Sequence, residues 1–170
     1  MGTEQKVAVV TGASQGIGAG IVQAFRERNC RVVATSRSIK PASDADVVTI
    51  QGDVGAPETA EKAFKAALER FGRIDTLVNN AGIVQDAQLK KMTDDQFDNV
   101  IDVNLKGVYN CTKAVVDVML DQHSGVILNA SSIVGIYGNF GQTNYAATKF
   151  GVIGMVKPPR SEKVGFHPGP

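Results

Sequence analysis

Ser132, Tyr145 and Lys149, near the C-terminal end of the chain, carry the side-chain types needed to move a proton onto or off an oxygen. Tyr145 and Lys149 are separated by three residues, the spacing at which side chains on one helix face become neighbours. A lysine charge beside a phenol favours the phenolate and suits Tyr145 to proton exchange. Ser132 adds a hydroxyl, with a Gly-rich loop between it and Tyr145. A Tyr-x-x-x-Lys pair by itself is common on helix surfaces, so its meaning depends on the elements that would position it.

Those elements alternate. Lys6 to Thr11 is a β-branched run of the kind found in buried parallel strands. It leads into Gly12-Ala13-Ser14-Gln15-Gly16-Ile17-Gly18 and then an apolar-striped helix over 19–28. Strand, glycine loop and helix form the context of a phosphate-binding turn: Gly12 permits the turn, Gly16 admits a pyrophosphate and Gly18 allows close packing. The helix N-terminus offers N–H groups to the phosphates. Arg31 to Ser36 is a second strand, and its end discriminates between dinucleotides. An acid there would take the ribose 2′-hydroxyl of NAD, whereas Ser36 followed by Arg37 favours the 2′-phosphate of NADP, with NAD the alternative. A third strand over 46–52 ends at Asp53 and Val54, where a carboxylate can meet an adenine amino group. Pro57 opens a helix that runs to Phe71 and is capped by Gly72.

Ile74 to Val78 is a fourth strand, leading into Asn79-Asn80-Ala81-Gly82, whose amides can bond across a sheet and whose small residues leave room for a ring. Thr93 and Gln96 have capping-box spacing at the start of a helix carrying Phe97, Val100 and Ile101. Asn104 lies where that helix meets a second one over 105–120, and 125–130 forms a fifth strand. The pattern predicts an α/β, Rossmann-like, doubly wound parallel sheet with strand order 3-2-1-4-5. Its site falls at the C-terminal ends of strands one, four and five, where Gly12, Asn79 and Ser132 lie.

With 170 residues, 18 basic and 17 acidic side chains and 43% hydrophobic residues, the composition is that of one globular domain. The interspersed charges argue against nucleic acid as a partner, and no apolar run suits a membrane span. Two well-separated cysteines, Cys30 and Cys111, fit reduced thiols in the cytoplasm, and His123 and His167 have no partner at metal-ligand spacing.

The chain resembles the short-chain dehydrogenase/reductase family, in its classical branch. Thr11-Gly12-x-x-x-Gly16-Ile17-Gly18 matches the cofactor turn, Asn79-Asn80-Ala81-Gly82 the strand-four motif, and Asn104, Ser132, Tyr145 and Lys149 the catalytic tetrad. The segments 132–135 and 141–149 are most similar to 3-oxoacyl-[acyl-carrier-protein] reductases. The resemblance implies hydride transfer between NADPH and a ketone or secondary alcohol, the substrate being a small carbonyl compound such as an acyl thioester. It implies Tyr145 as general acid, Ser132 as oxyanion donor, Lys149 as partner of Tyr145 and of the nicotinamide ribose, and Asn104 as holder of a relay water. Cofactor contacts are expected from Gly12, Ser14, Gln15, Gly16, Ile17, Gly18, Ser36, Arg37, Asp53, Val54, Asn80, Ala81, Gly82, Tyr145 and Lys149. Homodimers or homotetramers are expected through helices 105–120 and 145–156. An alcohol, steroid or sugar dehydrogenase is the alternative enzyme, and a non-catalytic dinucleotide-binding fragment the alternative from another class. The likeness stops after Val156. Lys157-Pro158-Pro159 should end the helix there, making 1–156 a dinucleotide-binding domain with catalytic residues and 157–170 an irregular tail. The family's sixth and seventh strands and substrate lid are not recognisable, so the chain reads as truncated.

Overall fold

A computed structural model of the protein describes residues 5–156. Its elements are β1 Val7–Thr11, α1 Gly16–Glu27, β2 Arg31–Ser36, β3 Val47–Gln51, α2 Pro57–Phe71, β4 Thr76–Asn79, α3 Asp94–Ile101, α4 Gly107–Asp121, β5 Val126–Asn129, α5 Val134–Tyr137 and α6 Thr143–Met155. The five strands are parallel, in the order β3-β2-β1-β4-β5. All five residues of β1 are buried, as a central strand covered by helices on both faces requires. On one face Val7, Val9, Ile74 and Leu77 pack with Phe64 and Ala67 of α2 and Cys111, Val115 and Met119 of α4. On the other, Val10, Val32, Ala34 and Val78 pack against Ile21, Val22 and Phe25 of α1. These two clusters make the three-layer, doubly wound architecture that the alternating pattern predicts.

At the end of the sheet away from the site, Asp75 is 7% exposed and accepts from Lys6 Nζ at 2.9 Å, Arg73 Nη2 at 2.7 Å and the Val7 N–H at 2.9 Å. Burial opposes its charge, yet the Arg73, Lys6 and Val7 bonds outweigh it and hold the carboxyl below the usual carboxylate value.

Local signals are met at several ends. Pro57 starts α2, and Gly72 closes it with φ +80° and an N–H to Leu68 O. Thr93 and Gln96 form the reciprocal capping box. α6 closes at Met155 with Val156 as its cap, as the prolines require, and the expected tail 157–170 lies outside the described residues.

Two expectations need correction. α1 begins at Gly16 rather than Ala19, so the glycines belong to the helix N-terminus itself. The expected helix capped by Thr93 and the expected helix 105–120 are one continuous rod: α3 passes into α4 through a π-helical turn, Asp102–Lys106, where the Gly107 N–H reaches back five residues to Asp102 O. A π turn inserts one residue without breaking the helix. The inserted region contains Asn104.

Candidate active site

At the carboxyl ends of β1, β2 and β3, a cleft of about 380 Å³ opens between the first turn of α1 and the loop after β4. Gly12, Ser14, Gln15, Gly16, Ile17 and Gly18 line one side; Ser36, Arg37, Asp53, Val54, Asn80, Ala81 and Gly82 complete the wall. These are the residues proposed from sequence, Tyr145 and Lys149 apart.

The cleft fits a dinucleotide in its fine structure. The N-cap Gln15 makes no side-chain cap and the first turn of α1 holds no acid, so the end of the helix is open to an anion. Gly16 has φ +56°, and a Cβ placed on it would meet nothing within 4 Å; that open side is where a pyrophosphate would approach. Gly18 answers a different constraint. Its Cβ would collide with the Gly12 carbonyl oxygen and stand 2.7 Å from Asn80 Nδ2. The Thr11 hydroxyl accepts from the N–H groups of Asn80 and Ala81 at 3.1 and 3.0 Å, and Asn80 Nδ2 donates to Thr11 O at 3.0 Å. The turn after β1 and the loop after β4 are thereby locked together. Asn79 extends the lock to the next strand, donating to Asn129 Oδ1 at 2.8 Å.

At the far end of the cleft, Arg37 Nη1 lies 3.8 Å from Asp53 Oδ2, with both side chains well exposed. Asp53 Oδ1 also accepts from the Gly55 N–H at 2.9 Å. The hydroxyls of Ser14, Ser36 and Ser38 form a chain beside Arg37, with Ser14 Oγ 2.9 Å from Ser36 Oγ and Ser38 Oγ donating to Ser14 Oγ at 3.4 Å.

Three of the four residues expected to be catalytic, Asn104, Tyr145 and Lys149, lie beyond Gly82, and Ser132 sits on the segment after β5 that packs against α6. A Cβ on Gly82 would lie 3.5 Å from Asn104 Oδ1 and 3.7 Å from Lys149 Nζ, so this glycine separates the cleft from these two side chains by little more than its own backbone. Lys149 is 5% exposed; its Nζ donates to Ala130 O at 2.6 Å and stands 5.6 Å from the centre of the Tyr145 ring. Burial lowers the pKa of this ammonium. Ser132 Oγ accepts from the Val134 N–H at 3.2 Å, which fixes the hydroxyl and leaves its proton to donate. Its neighbour Ser131 donates to Lys149 O at 2.8 Å, fastening the Ser132 segment to α6. The Asn104 side chain works as a clamp: Oδ1 accepts from the Ile83 N–H at 2.8 Å, while Nδ2 donates to Ile83 O at 2.9 Å and to Thr148 Oγ1 at 3.4 Å.

Ser38, Gly52, Ile83 and Val103, which are not among the expected cofactor contacts, also line the cleft. Ser38 directly follows Ser36 and Arg37, and its hydroxyl beside that cation is the signal that could have found it. Ile83 and Val103 carry no chemical signal and are placed only by the fold. Cys111 is not a candidate nucleophile, since burial pushes its thiol up to about 12. Among the described residues no cluster of His, Cys, Asp and Glu could hold a metal, and no helix is long and apolar enough to cross a membrane.

Comparison with known proteins gives concordant results. The family model of the short chain dehydrogenases matches residues 6–164. A 3-oxoacyl-[acyl-carrier-protein] reductase of Thermotoga maritima is 43% identical over 175 residues, covering 97% of this chain and 71% of the relative. A protein of the same name from Staphylococcus epidermidis is 43% identical over 162 residues, covering 89% of this chain and 66% of its own length. The crystal structure of a short chain dehydrogenase from Bacillus anthracis superposes with a TM-score of 0.83 at 28% identity, over 89% of this chain and 67% of that one.

Proposed function

This chain belongs to the short chain dehydrogenase family, and we propose that it is an NADP-preferring reductase of 3-oxoacyl substrates. The observation that carries the reading is the buried Lys149 ammonium, anchored on Ala130 O and facing the Tyr145 ring, directly across Gly82 from the cleft. The helix end at Gly16 to Gly18 would hold the pyrophosphate, Asp53 and Val54 the adenine, and Ser36 with Arg37 a 2′-phosphate. Asn80, Ala81 and Gly82 leave room for the nicotinamide-bearing half. A bound NADPH supplies the hydride.

The chain's own residues supply position and the proton. Ser132 donates its hydroxyl hydrogen to the carbonyl oxygen, orienting it and stabilising the charge it gains. Tyr145 gives that oxygen its proton in reduction and recovers it in oxidation. Lys149 favours the phenolate that remains and would hydrogen-bond the ribose hydroxyls of a bound cofactor. A water beside Gly82, within reach of Asn104 and Lys149, would return the proton. The substrate class follows the names of the relatives, and association through the helices around 105–120 and 145–156 is part of the same proposal.

The test is a fluorescence titration with NADPH and NADH, followed by addition of an acetoacetyl thioester. Tighter NADPH binding with consumption is the expected result. Tyr145→Phe should abolish consumption while the nucleotide still binds. Consumption that survives this substitution removes Tyr145 from the mechanism, and binding without consumption by the wild-type chain reduces the protein to a nucleotide-binding module.

A further inference from the structure

The backbone of Tyr145 is held at both ends by buried side chains that do no chemistry themselves. Asn144 and Thr148 are both 0% exposed. Asn144 Oδ1 accepts from the Tyr145 N–H at 2.7 Å, a first-turn donor that a helix leaves without an internal partner. Thr148 Oγ1 donates to Tyr145 O at 2.8 Å.

Both side chains also reach away from α6. Asn144 Nδ2 donates to Gln85 O and to Gln96 O, each at 3.0 Å, gripping the loop after β4 and the first turn of α3. Thr148 Oγ1 accepts from Asn104 Nδ2, and Asn104 holds both backbone groups of Ile83 in the same loop. A ring of hydrogen bonds therefore runs from the Tyr145 N–H through Asn144 to Gln85, along the loop to Ile83, through Asn104 to Thr148, and back to Tyr145 O. The loop it encloses begins with Asn80, Ala81, Gly82 and Ile83, which wall the cleft.

We infer that Asn144 and Thr148 are positioning residues for Tyr145, fixing the height and direction of its phenol relative to the cofactor cleft. The inference rests on Tyr145 being the proton donor. The π turn has a place in it: inserting one residue at Asp102–Lys106 sets the register at which Asn104 meets both Ile83 and Thr148. A polar ring this buried holds its members firmly when every one is satisfied, and loosens locally when one is removed. Loss of the Thr148 hydroxyl should leave both Asn104–Ile83 bonds, and with them the cleft wall, in place while letting α6 shift against it. A misplacement of about 1 Å in a reacting group costs roughly 10²-fold in rate.

The test uses the whole chain carrying 3-fluorotyrosine, which reports on three tyrosines, Tyr109, Tyr137 and Tyr145. The Tyr145 fluorine resonance is identified by its absence in Tyr145→Phe. Thr148→Val is the principal variant, since it removes the hydroxyl at nearly constant shape; Asn144→Ala is the second, and Thr148→Ser is the rescue. In Thr148→Val the Tyr145 resonance should shift while that of Tyr109, on α4, stays in place. Turnover should fall about 10²-fold with NADPH affinity nearly unchanged, and Thr148→Ser should restore both signals. An unmoved Tyr145 resonance, or a shift shared equally by Tyr109, overturns the inference. A local Tyr145 shift in a chain that consumes no acyl thioester would uphold the positioning and instead remove the proposed reaction.

Discussion

At the scale of single residues, the site contrasts an exposed cation with a buried one. Arg37 is paired with Asp53 at 3.8 Å in solvent, a contact that is worth little and yields readily to a better anion. A 2′-phosphate would be that anion, bound through charge-assisted bonds with the Ser14, Ser36 and Ser38 hydroxyls at its side. Arg37→Ala should therefore weaken NADPH binding about tenfold, equivalent to about 1.4 kcal/mol, and leave NADH binding unchanged. Equal loss for both nucleotides, measured by fluorescence titration, would remove Arg37 from cofactor selection. Lys149 is the opposite case. Its folded pKa is lowered from 10.5 by burial, so between the folded value and 10.5 the unfolded chain binds more protons. Stability should rise with pH through that window, and the full cost of the buried charge is carried below it. Lys149→Met deletes the charge and leaves Ala130 O without its donor, a loss of about 1 kcal/mol. The variant should be inactive, and its stability relative to wild type should fall as the pH rises toward 10.5, because only the wild type gains stability through that window. Thermal unfolding of both proteins from pH 7 to 10 decides this; a difference constant in pH would mean that the ammonium is not strained by burial.

The helices and strands show where sequence legibility ends. Strand order, the glycine turn and the capping box could be read because each rests on local chemistry: β-branched runs, residues without a Cβ, and a Thr and Gln three apart. The π turn could not, because the propensities of Asp102 to Lys106 do not distinguish a π turn from an α-helix or a break between two helices; within it Asn104 reaches Ile83 and Thr148 together. Ile83 and Val103 in the cleft wall were hidden for a similar reason, being apolar residues whose place depends on the fold. Helical glycines are equally opaque in sequence and become distinct in the structure. Gly20 in α1 has nothing within 4 Å of an added Cβ, so Gly20→Ala should stabilise the protein by about 0.5–1 kcal/mol through helix propensity. In α4 a Cβ on Gly107 would stand 2.7 Å from Val54 Cγ2, so Gly107→Ala should destabilise by about 1–3 kcal/mol through overpacking. Because Val54 lines the cleft, the second variant should also bind nucleotide more weakly. Denaturant unfolding of the pair gives changes of opposite sign if these contacts are as described, and of the same sign if helix propensity alone matters.

For the whole molecule, the faces turned away from the core are as informative as the site. α4 and α6 bury one face each and leave Tyr109 at 50%, Leu120 at 50% and Phe150 at 63% exposure. Phe150 on the outer side of α6 is the kind of large exposed apolar side chain that can anchor a partner. The net charge of +1 gives copies of the chain little long-range repulsion to overcome. α6 joins Phe150 to the proposed site, since Lys149 on its inner side is 5% exposed and the next residue, Phe150, points outward. A partner seated on Phe150 would press the helix that carries Tyr145 onto the loop after β4 and support the same hydrogen-bonded ring from behind. Phe150→Glu should then raise the dissociation constant of the oligomer by about 10²-fold or more, since it places a charge where an apolar anchor is buried. Sedimentation velocity across a dilution series measures this directly, with NADPH binding to the isolated subunit retained. Turnover per subunit should climb with protein concentration in the wild type and stay low and flat in Phe150→Glu. If sedimentation changes and turnover does not, association is real but lies outside the catalytic cycle; if neither changes, this helix face is not where the copies meet.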